Sequence, residues 1–215
     1  MPNQNSAPIT DVLSRLKDEY PGATTELRWT NPLELLVATM LSAQTTDVQV
    51  NRVTEVLFEK YQTARDYAEA EPEVLEDDIR PTGFFRNKAR SLQGMARALM
   101  EDHDGEVPRT MSGLVELPGV GRKTANVVLG NAFSTDEGIV VDTHVRRLSN
   151  RLGLSPERDP EKVEQDLMQN VPKADWTIFS HLLILHGRRI CKSRKPDCPG
   201  CLLNDICPSA GTFES

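Results

Sequence analysis

Apolar residues recur every three or four positions along most of the 215-residue chain, the spacing that places them on one face of an α-helix. No stretch of useful length alternates apolar with polar residues, as a half-buried β-strand would. The pattern therefore predicts an all-α protein. The predicted helices are 10–20, 33–41, 46–57, 64–70, 72–78, 88–103, 110–117, 122–133, 142–152, 160–170 and 173–190.

Capping residues mark where several of these helices begin. Asn31-Pro32 and Asp159-Pro160 each place a capping side chain before a proline at the first helical position. Asp142, Thr10 and Thr46 are also expected to be N-caps. The 33–41 helix is apolar nearly all round, so we expect it to be central and buried.

Two stretches outside the predicted helices are expected to lack regular structure. Residues 1–8 are polar and are expected to be disordered. Residues 80–87 are expected to form a loop that carries the adjacent aromatic residues Phe84 and Phe85. The predicted helices at 46–57 and 110–117 are expected to bury Val56 and Val115, respectively.

The formal net charge is −7, which taken alone argues mildly against a polyanionic partner. The charges are segregated, however. Seven acids lie in 66–78, whereas 186–198 holds five Lys and Arg residues against the single acid Asp197. Together with a second basic group at 146–151, this distribution indicates one basic face and an acidic back. Either run is also compatible with an ordinary solvated surface.

All four cysteines lie within the last 25 residues, with the spacing C-x6-C-x2-C-x5-C. Disulfides would be spread along the chain to join distant loops, so this cluster indicates metal ligation in a reducing compartment. Four thiolates suit either a tetrahedral zinc ion or a [4Fe–4S] cluster, and ligand chemistry alone does not choose between them. The ligands are Cys191, Cys198, Cys201 and Cys207.

No apolar run is long enough to span a bilayer, and the chain does not open with a signal-peptide pattern. We therefore expect a soluble protein that has no membrane partner.

The segment 117–125 joins two predicted helices through a turn of one proline and two glycines. Gly119 and Gly121 are expected to allow positive φ and a close approach by another backbone. The helix that follows begins with unpaired N–H groups, an end that favours an anion such as a nucleic-acid phosphate. The alternative is an ordinary corner between two helices.

The string Leu-Pro-Gly-Val-Gly-Arg-Lys-Thr-Ala at 117–125 resembles the hairpin of the endonuclease III family of helix–hairpin–helix DNA glycosylases and AP lyases. The resemblance extends over nearly the whole chain. It implies an all-α fold of two helical lobes with the active site in the cleft between them. One lobe is a six-helix barrel domain with the helix–hairpin–helix motif, 24–134. The other is an iron–sulfur cluster domain made of 1–23 and 135–215.

The resemblance implies a bifunctional enzyme of base-excision repair that acts on double-stranded DNA containing an oxidised pyrimidine or an AP site. Lys123 stands where this family carries its nucleophile. Its amine would attack C1′ as the base leaves, form a Schiff base, and cut the strand 3′ to the lesion by β-elimination. The dipole of its helix disfavours a second positive charge there, and the neutral amine is the nucleophile. Asp142, in a Val-Asp-Thr-His string, matches the family's catalytic aspartate, whereas His144 is expected to be packed.

The resemblance also implies the DNA contacts and the cofactor. Gln44 and Phe84 match the positions that fill the gap left by an extruded base, although the family often has leucine at the second. Burial of both Phe84 and Phe85 in the core is the alternative. The cysteine spacing matches the family's iron–sulfur loop, so the resemblance selects a [4Fe–4S] cluster with a structural role. The hairpin residues implied to contact DNA are Gly119, Val120, Gly121 and Arg122.

Other functions are compatible with parts of this pattern. A non-catalytic DNA-binding module would use the hairpin and the basic loop without cutting DNA. An electron-transfer protein would use only the cluster and leaves Lys123 without a purpose. A related glycosylase with a different lesion preference would differ in pocket shape, which the sequence does not reveal. We expect a bacterial-type, nucleoid-associated protein of the cytoplasm that acts as a monomer.

Overall fold

The computed structural model describes residues 6–212, which form α-helices and two short 3₁₀-helices and contain no β-strand. The prediction of an all-α protein is confirmed. In the described part of the chain, no helix is long and apolar enough to cross a membrane. The helices are α1 Ile9–Glu19, α2 Pro32–Leu41, α3 Asp47–Lys60, α4 Ala64–Glu69, α5 Pro72–Ile79, α6 Phe85–Asp102, α7 Met111–Glu116, α8 Arg122–Ala132, α9 Thr143–Arg151, α10 Pro160–Asn170 and α11 Trp176–Arg189, with 3₁₀-helices at Arg80–Thr82 and Lys173–Asp175.

The chain divides into two compact units. We call residues 25–137 the continuous unit, because they form one uninterrupted stretch of chain. We call residues 1–24 together with 138–215 the split unit. Each unit has its own apolar core.

The continuous unit is built around α2, which packs against α3, α6 and α8. Leu35, Leu36 and Leu41 of α2 are fully buried, as the apolar sequence of this helix predicts. The predicted stripe of α6 is also buried, and this helix packs against α4 and α5. The turn between α7 and α8 packs against α6 of this set of helices.

The split unit brings the start of the chain to its later helices. In its core, α11 packs against α1 and α9, and Phe179 and Leu183 are fully buried. Arg15 of α1 donates to the Leu202 carbonyl at 2.9 Å and binds both oxygens of the Asp205 carboxylate. The first helix and the cysteine-containing segment are therefore held together.

The expected disordered segment 1–8 lies partly outside the described residues. Where it is described, the expectation is wrong at Ala7, which is buried and donates its N–H to the Leu152 carbonyl at 2.8 Å. The helix start at Thr10 is also wrong, because α1 begins at Ile9 after Pro8. A proline has no N–H to contribute and is accepted at this end of a helix.

The other predicted caps are confirmed. Asn31 accepts from the Glu34 N–H, Thr46 from the Gln49 N–H, and Asp159 from the N–H groups of Glu161 and Lys162. These side chains replace hydrogen bonds that the first turn of a helix cannot make for itself.

The expected loop at 80–87 is shorter than predicted, because α6 begins at Phe85. Phe85 is partly buried against the core, and the guanidinium groups of Arg80 and Arg86 lie over its ring. The burial expected for Val56 and Val115 is wrong, since both side chains are exposed.

Candidate DNA-binding and catalytic residues

The hairpin between α7 and α8 is a tight turn in the continuous unit. The Val120 N–H donates to the Leu117 carbonyl at 3.0 Å, which closes the turn. Pro118 and Gly119 occupy its central positions, and Gly119 has φ +78°, as a type II turn requires. The Val120 side chain is buried in the core of the continuous unit, so this residue holds the hairpin in place.

The two glycines of the hairpin have different roles. A β-carbon on Gly119 would lie 2.8 Å from Cβ of Ser91, so the hairpin packs directly on α6. Gly121 has φ −95°, so it does not use the positive φ that a glycine allows. A β-carbon there would meet nothing within 4 Å. Gly121 therefore leaves open space in front of α8, whereas Gly119 allows the turn itself.

We predict that Gly119→Ala destabilises the continuous unit by about 1–3 kcal/mol, because alanine is strained at this φ and overlaps Ser91. Gly121→Ala is the matched control. Its effect should lie within about 0.5 kcal/mol of zero, because reduced freedom of the unfolded chain offsets a poorer helix cap. Thermal unfolding of the two variants measures the difference, and equal destabilisation would contradict this account of the turn.

Lys123 is the second residue of α8 and is exposed. The opposite face of the helix is fixed in the core by Ala125, Val128 and Leu129, all fully buried. The N–H groups of the first helical turn have no partner within the helix and give this end a partial positive charge. The sequence thus places an accessible amine beside a backbone surface that favours anions.

Three of the residues predicted to contact DNA surround one groove of about 260 Å³ in the continuous unit. Gln44 and Phe84 are both exposed and both adopt left-handed backbone conformations, with φ of 55° and 48°. Phe84 is 64% exposed, so burial of both aromatics in the core is excluded. The groove is lined by Met40, Ala43, Gln44, Phe84, Asn87, Lys88, Ser91 and Gly119.

The same groove contains a buried lysine that sequence reasoning missed. Lys88 is only 8% exposed, and burial lowers the pKa of its amine. Its Nζ donates to the carbonyls of Leu41 and Thr82 and to the Thr45 hydroxyl, at 2.7–3.0 Å. The sequence feature that could have predicted its burial is its position at the start of the predicted 88–103 helix, one residue before the apolar stripe.

Asp142 belongs to the split unit, where it caps α9. Its Oδ1 accepts from the N–H groups of His144 and Val145, each at 2.8 Å. The predicted capping role of Asp142 is therefore confirmed.

His144 is half-buried, and its Nδ1 lies 3.1 Å from Nη2 of Arg147. Burial, reinforced by nearby Arg147 and Arg188, lowers the pKa of this imidazole despite the opposing effect of Asp142. A neutral, packed histidine agrees with the role expected from the sequence.

The four cysteines line one cavity in the split unit, together with apolar side chains such as Ile190 and Pro196. One side-chain nitrogen lies close to each of two sulfurs. Arg151 Nη1 donates to Sγ of Cys191 at 3.2 Å, and His186 Nε2 lies 3.3 Å from Sγ of Cys201. The cavity thus offers four thiols, a mostly apolar wall and polar nitrogens close to two of the sulfurs.

Burial, aided by the neighbouring cysteines, raises the pKa of Cys201 to about 11. Burial also raises the pKa of Cys207. Thiols in such a site ionise only when a bound cation offsets the thiolate charges. The donor set therefore fits a positively charged iron–sulfur core that is coordinated by one cysteine at each iron.

Two members of the predicted second basic group support the cysteine loop. Arg147 donates to the carbonyls of Gly187 and Cys191 at 2.9 Å. Arg151 donates to the carbonyls of Lys192 and Ser193 at 2.7 and 3.1 Å. These arginines therefore fix the loop, and the basic residues of the loop itself, Lys192, Arg194 and Lys195, are exposed.

Residues 37–173 match the family model of the HhH-GPD superfamily base excision DNA repair proteins, and the chain belongs to this family. Curated relatives agree. Endonuclease III of Synechocystis sp. is 52% identical over 94% of this chain and 92% of its own length. Endonuclease III of Bacillus subtilis is 48% identical over 94% and 93%.

A solved structure has the same fold. The structure of a trapped endonuclease III–DNA covalent intermediate, the estranged-adenine complex, has a TM-score of 0.90 and 46% sequence identity to this protein. The match covers 95% of this chain and 96% of that one. The family resemblance seen in the sequence is thereby confirmed.

Proposed function

We infer that this protein is a bifunctional DNA glycosylase and AP lyase of base-excision repair, which removes oxidised pyrimidines from double-stranded DNA. The family membership and the endonuclease III relatives support this function. The observation that carries the mechanism is the exposed Lys123 amine in the first turn of α8, directly after the hairpin.

In the proposed reaction, the lone pair of Lys123 Nζ attacks C1′ of the damaged nucleotide. The bond between C1′ and the base breaks, and the base leaves with the bonding electrons and takes up a proton. The bond between C1′ and the sugar-ring oxygen then breaks, and the oxygen takes up a proton and stays on the sugar as a hydroxyl. The resulting Schiff base acidifies the hydrogens at C2′. Removal of one C2′ proton expels the 3′-phosphate oxygen from C3′ and cuts the strand.

We propose that the hairpin and the groove hold the DNA in place for this step. The backbone of Gly119, Val120, Gly121 and Arg122 presents the positive end of α8 to a phosphate. Gln44 and Phe84 fill the space that the extruded nucleotide leaves in the stack, which offsets part of the cost of extrusion. Their exposure and their shared groove support this assignment.

We propose that Asp142 serves the same reaction as a fixed negative charge. The positive charge that develops on the sugar as the base leaves is stabilised by a carboxylate, and the proton from the amine also needs an acceptor. The two N–H groups that donate to Asp142 Oδ1 hold the carboxylate in a fixed position.

We predict that Asp142→Asn lowers base release by about 10²-fold, because the amide keeps the cap but loses the charge. The unfolding temperature should stay close to that of the unmodified protein. Asp142→Ala is the control, since it also loses the cap and should cost about 1 kcal/mol of stability. Normal base release by Asp142→Asn, measured in single-turnover assays, would rule out the proposed role.

We also propose that the split unit is an iron–sulfur cluster domain in which Cys191, Cys198, Cys201 and Cys207 hold a [4Fe–4S] cluster. The cavity that they share, with Arg151 donating to Cys191 and His186 close to Cys201, supports this assignment. When bound, the cluster supplies a cationic core that crosslinks the four thiolates. Its role here is structural, because it fixes the exposed basic loop 192–195.

Three further assignments concern the continuous unit, the place where the protein acts, and its oligomeric state. We propose that the continuous unit is the six-helix barrel domain with the helix–hairpin–helix motif. The relatives named above are bacterial, which supports a function on the DNA of the bacterial cytoplasm. We propose that the protein acts there as a monomer.

Duplex DNA with one oxidised thymine at a defined position tests the activity. We expect the purified protein to cut directly 3′ to the lesion, leave a 5′-phosphate on the downstream fragment, and spare a lesion-free duplex. Salt-sensitive binding without cutting would instead identify a non-catalytic DNA-binding module. Release of the base without cutting would identify a glycosylase that uses water as its nucleophile.

A further inference from the structure

The buried amine of Lys88 joins three segments of the continuous unit. Lys88 lies in the first turn of α6, and its Nζ reaches the Leu41 carbonyl at the end of α2 at 2.8 Å. It reaches the Thr45 hydroxyl at 3.0 Å and the Thr82 carbonyl at 2.7 Å. The Thr45 hydroxyl also donates to the Thr82 carbonyl. One ammonium group therefore holds the segment after α2 against the segment before α6.

The hydrogen bonding of Lys88 is complete. An ammonium has three N–H donors, and this one meets three oxygen acceptors. Burying a charge is costly unless all its hydrogen bonds are made, so the two segments must keep their positions to satisfy it. With its side chain 8% exposed and its donors engaged, Lys88 is not placed to bind a DNA phosphate.

The two segments carry the side chains that are proposed to enter the DNA stack. Gln44 immediately precedes Thr45, and Phe84 follows Thr82 after a single glycine. Gln44, Gly83 and Phe84 all have positive φ, a conformation that the surrounding structure must maintain in the non-glycine residues. The spacing between the exposed Gln44 and Phe84 side chains therefore depends on the contacts made by Lys88.

We propose that Lys88 is a positioning residue for base extrusion, which holds Gln44 and Phe84 at the separation that fills the vacated space in the duplex. This inference rests on the proposed function. Lys88 acts through these two residues and does not touch the reacting atoms. A displacement of about 1 Å in a positioning contact can lower a rate by about 10²-fold.

The test compares two substrates that contain an AP site, one a duplex and the other a single strand. A single strand has no stack to fill. Lys88→Met keeps the length of the side chain and removes its donors, so we expect cutting of the duplex to fall by about tenfold to 10²-fold. Cutting of the single strand should change less than about twofold. A purely structural role would lower both rates together and would overturn the proposal.

A double-mutant cycle checks that Lys88 acts through the groove residues. Phe84→Ala should lower duplex cutting, and adding Lys88→Met to it should cause less further loss than Lys88→Met causes alone. Fully additive losses would overturn the proposal. Thr45→Val removes one of the three acceptors and should shift the duplex-to-single-strand ratio in the same direction, even if Lys88→Met does not fold.

The outcome is separable from that of the proposed function. If the unmodified protein cuts neither substrate, the lyase activity itself is wrong. If it cuts both and Lys88→Met cuts the duplex normally, only the positioning role of Lys88 is wrong.

Discussion

Lys123→Gln abolishes strand cutting at an AP site and at an oxidised pyrimidine, by at least about 10³-fold, if this amine is the nucleophile. Glutamine has a similar length and polarity but cannot form a Schiff base. The residue is exposed and α8 is anchored by its other face, so the variant should fold and bind DNA normally. Borohydride gives the direct measurement, because it reduces the Schiff base to a stable adduct between protein and DNA.

Lys162→Gln is the matched control for this experiment. Lys162 is also an exposed lysine in the first turn of a helix, α10, but it does not follow a hairpin. We expect this variant to cut DNA and to form the adduct at the normal rate. A borohydride adduct that persists in Lys123→Gln would show that another amine is the nucleophile, and the proposed mechanism would then be wrong.

We expect Cys201→Ser to prevent binding of the proposed cluster and to unfold the segment around it. This segment has little regular structure, and Leu203 is its main buried apolar side chain, so a bound cluster is expected to supply much of its stability. For a loss of about 4 kcal/mol, the unfolding temperature would fall by about 8–16 °C in a chain of this size. The visible absorption of the iron–sulfur cluster should disappear from the same preparation.

Ser209→Ala is the control for the cysteine variant, because Ser209 lines the same cavity without being a proposed ligand. It should retain the absorption, the iron content and the unfolding temperature. Iron and sulfide analysis separates the alternatives for the unmodified protein. Stoichiometric zinc without sulfide would show that the four cysteines hold a single ion instead.

The sequence predicted those features that depend on near neighbours along the chain. The caps at Asn31, Asp142 and Asp159 form because the donor and acceptor are two or three residues apart. The buried stripes of α2 and α6 follow from helical periodicity in the same way. Such local signals were sufficient for the all-α fold and for the position of Lys123 in the first turn of α8.

Features that depend on distant partners were not predicted. The Leu41 carbonyl that accepts from Lys88 is 47 residues away. Because every residue has a backbone carbonyl, the sequence does not show which one is the partner. Arg151 reaches carbonyls more than 40 residues away, so its charge suggested a surface residue. The sequence shows that Gly119 and Gly121 both allow positive φ, but it does not show that only Gly119 adopts it.

The contact between Arg15 and Asp205 has a consequence for synthesis of the protein, since the two residues are 190 positions apart in the chain. At about 5–20 residues per second, a ribosome takes about 10–40 s to add that length. During this interval the newly made α1 lacks its partner Asp205. Residues 25–137 leave the ribosome in the same interval and can fold. The split unit, which contains the four cysteines, is therefore completed only after the continuous unit has emerged.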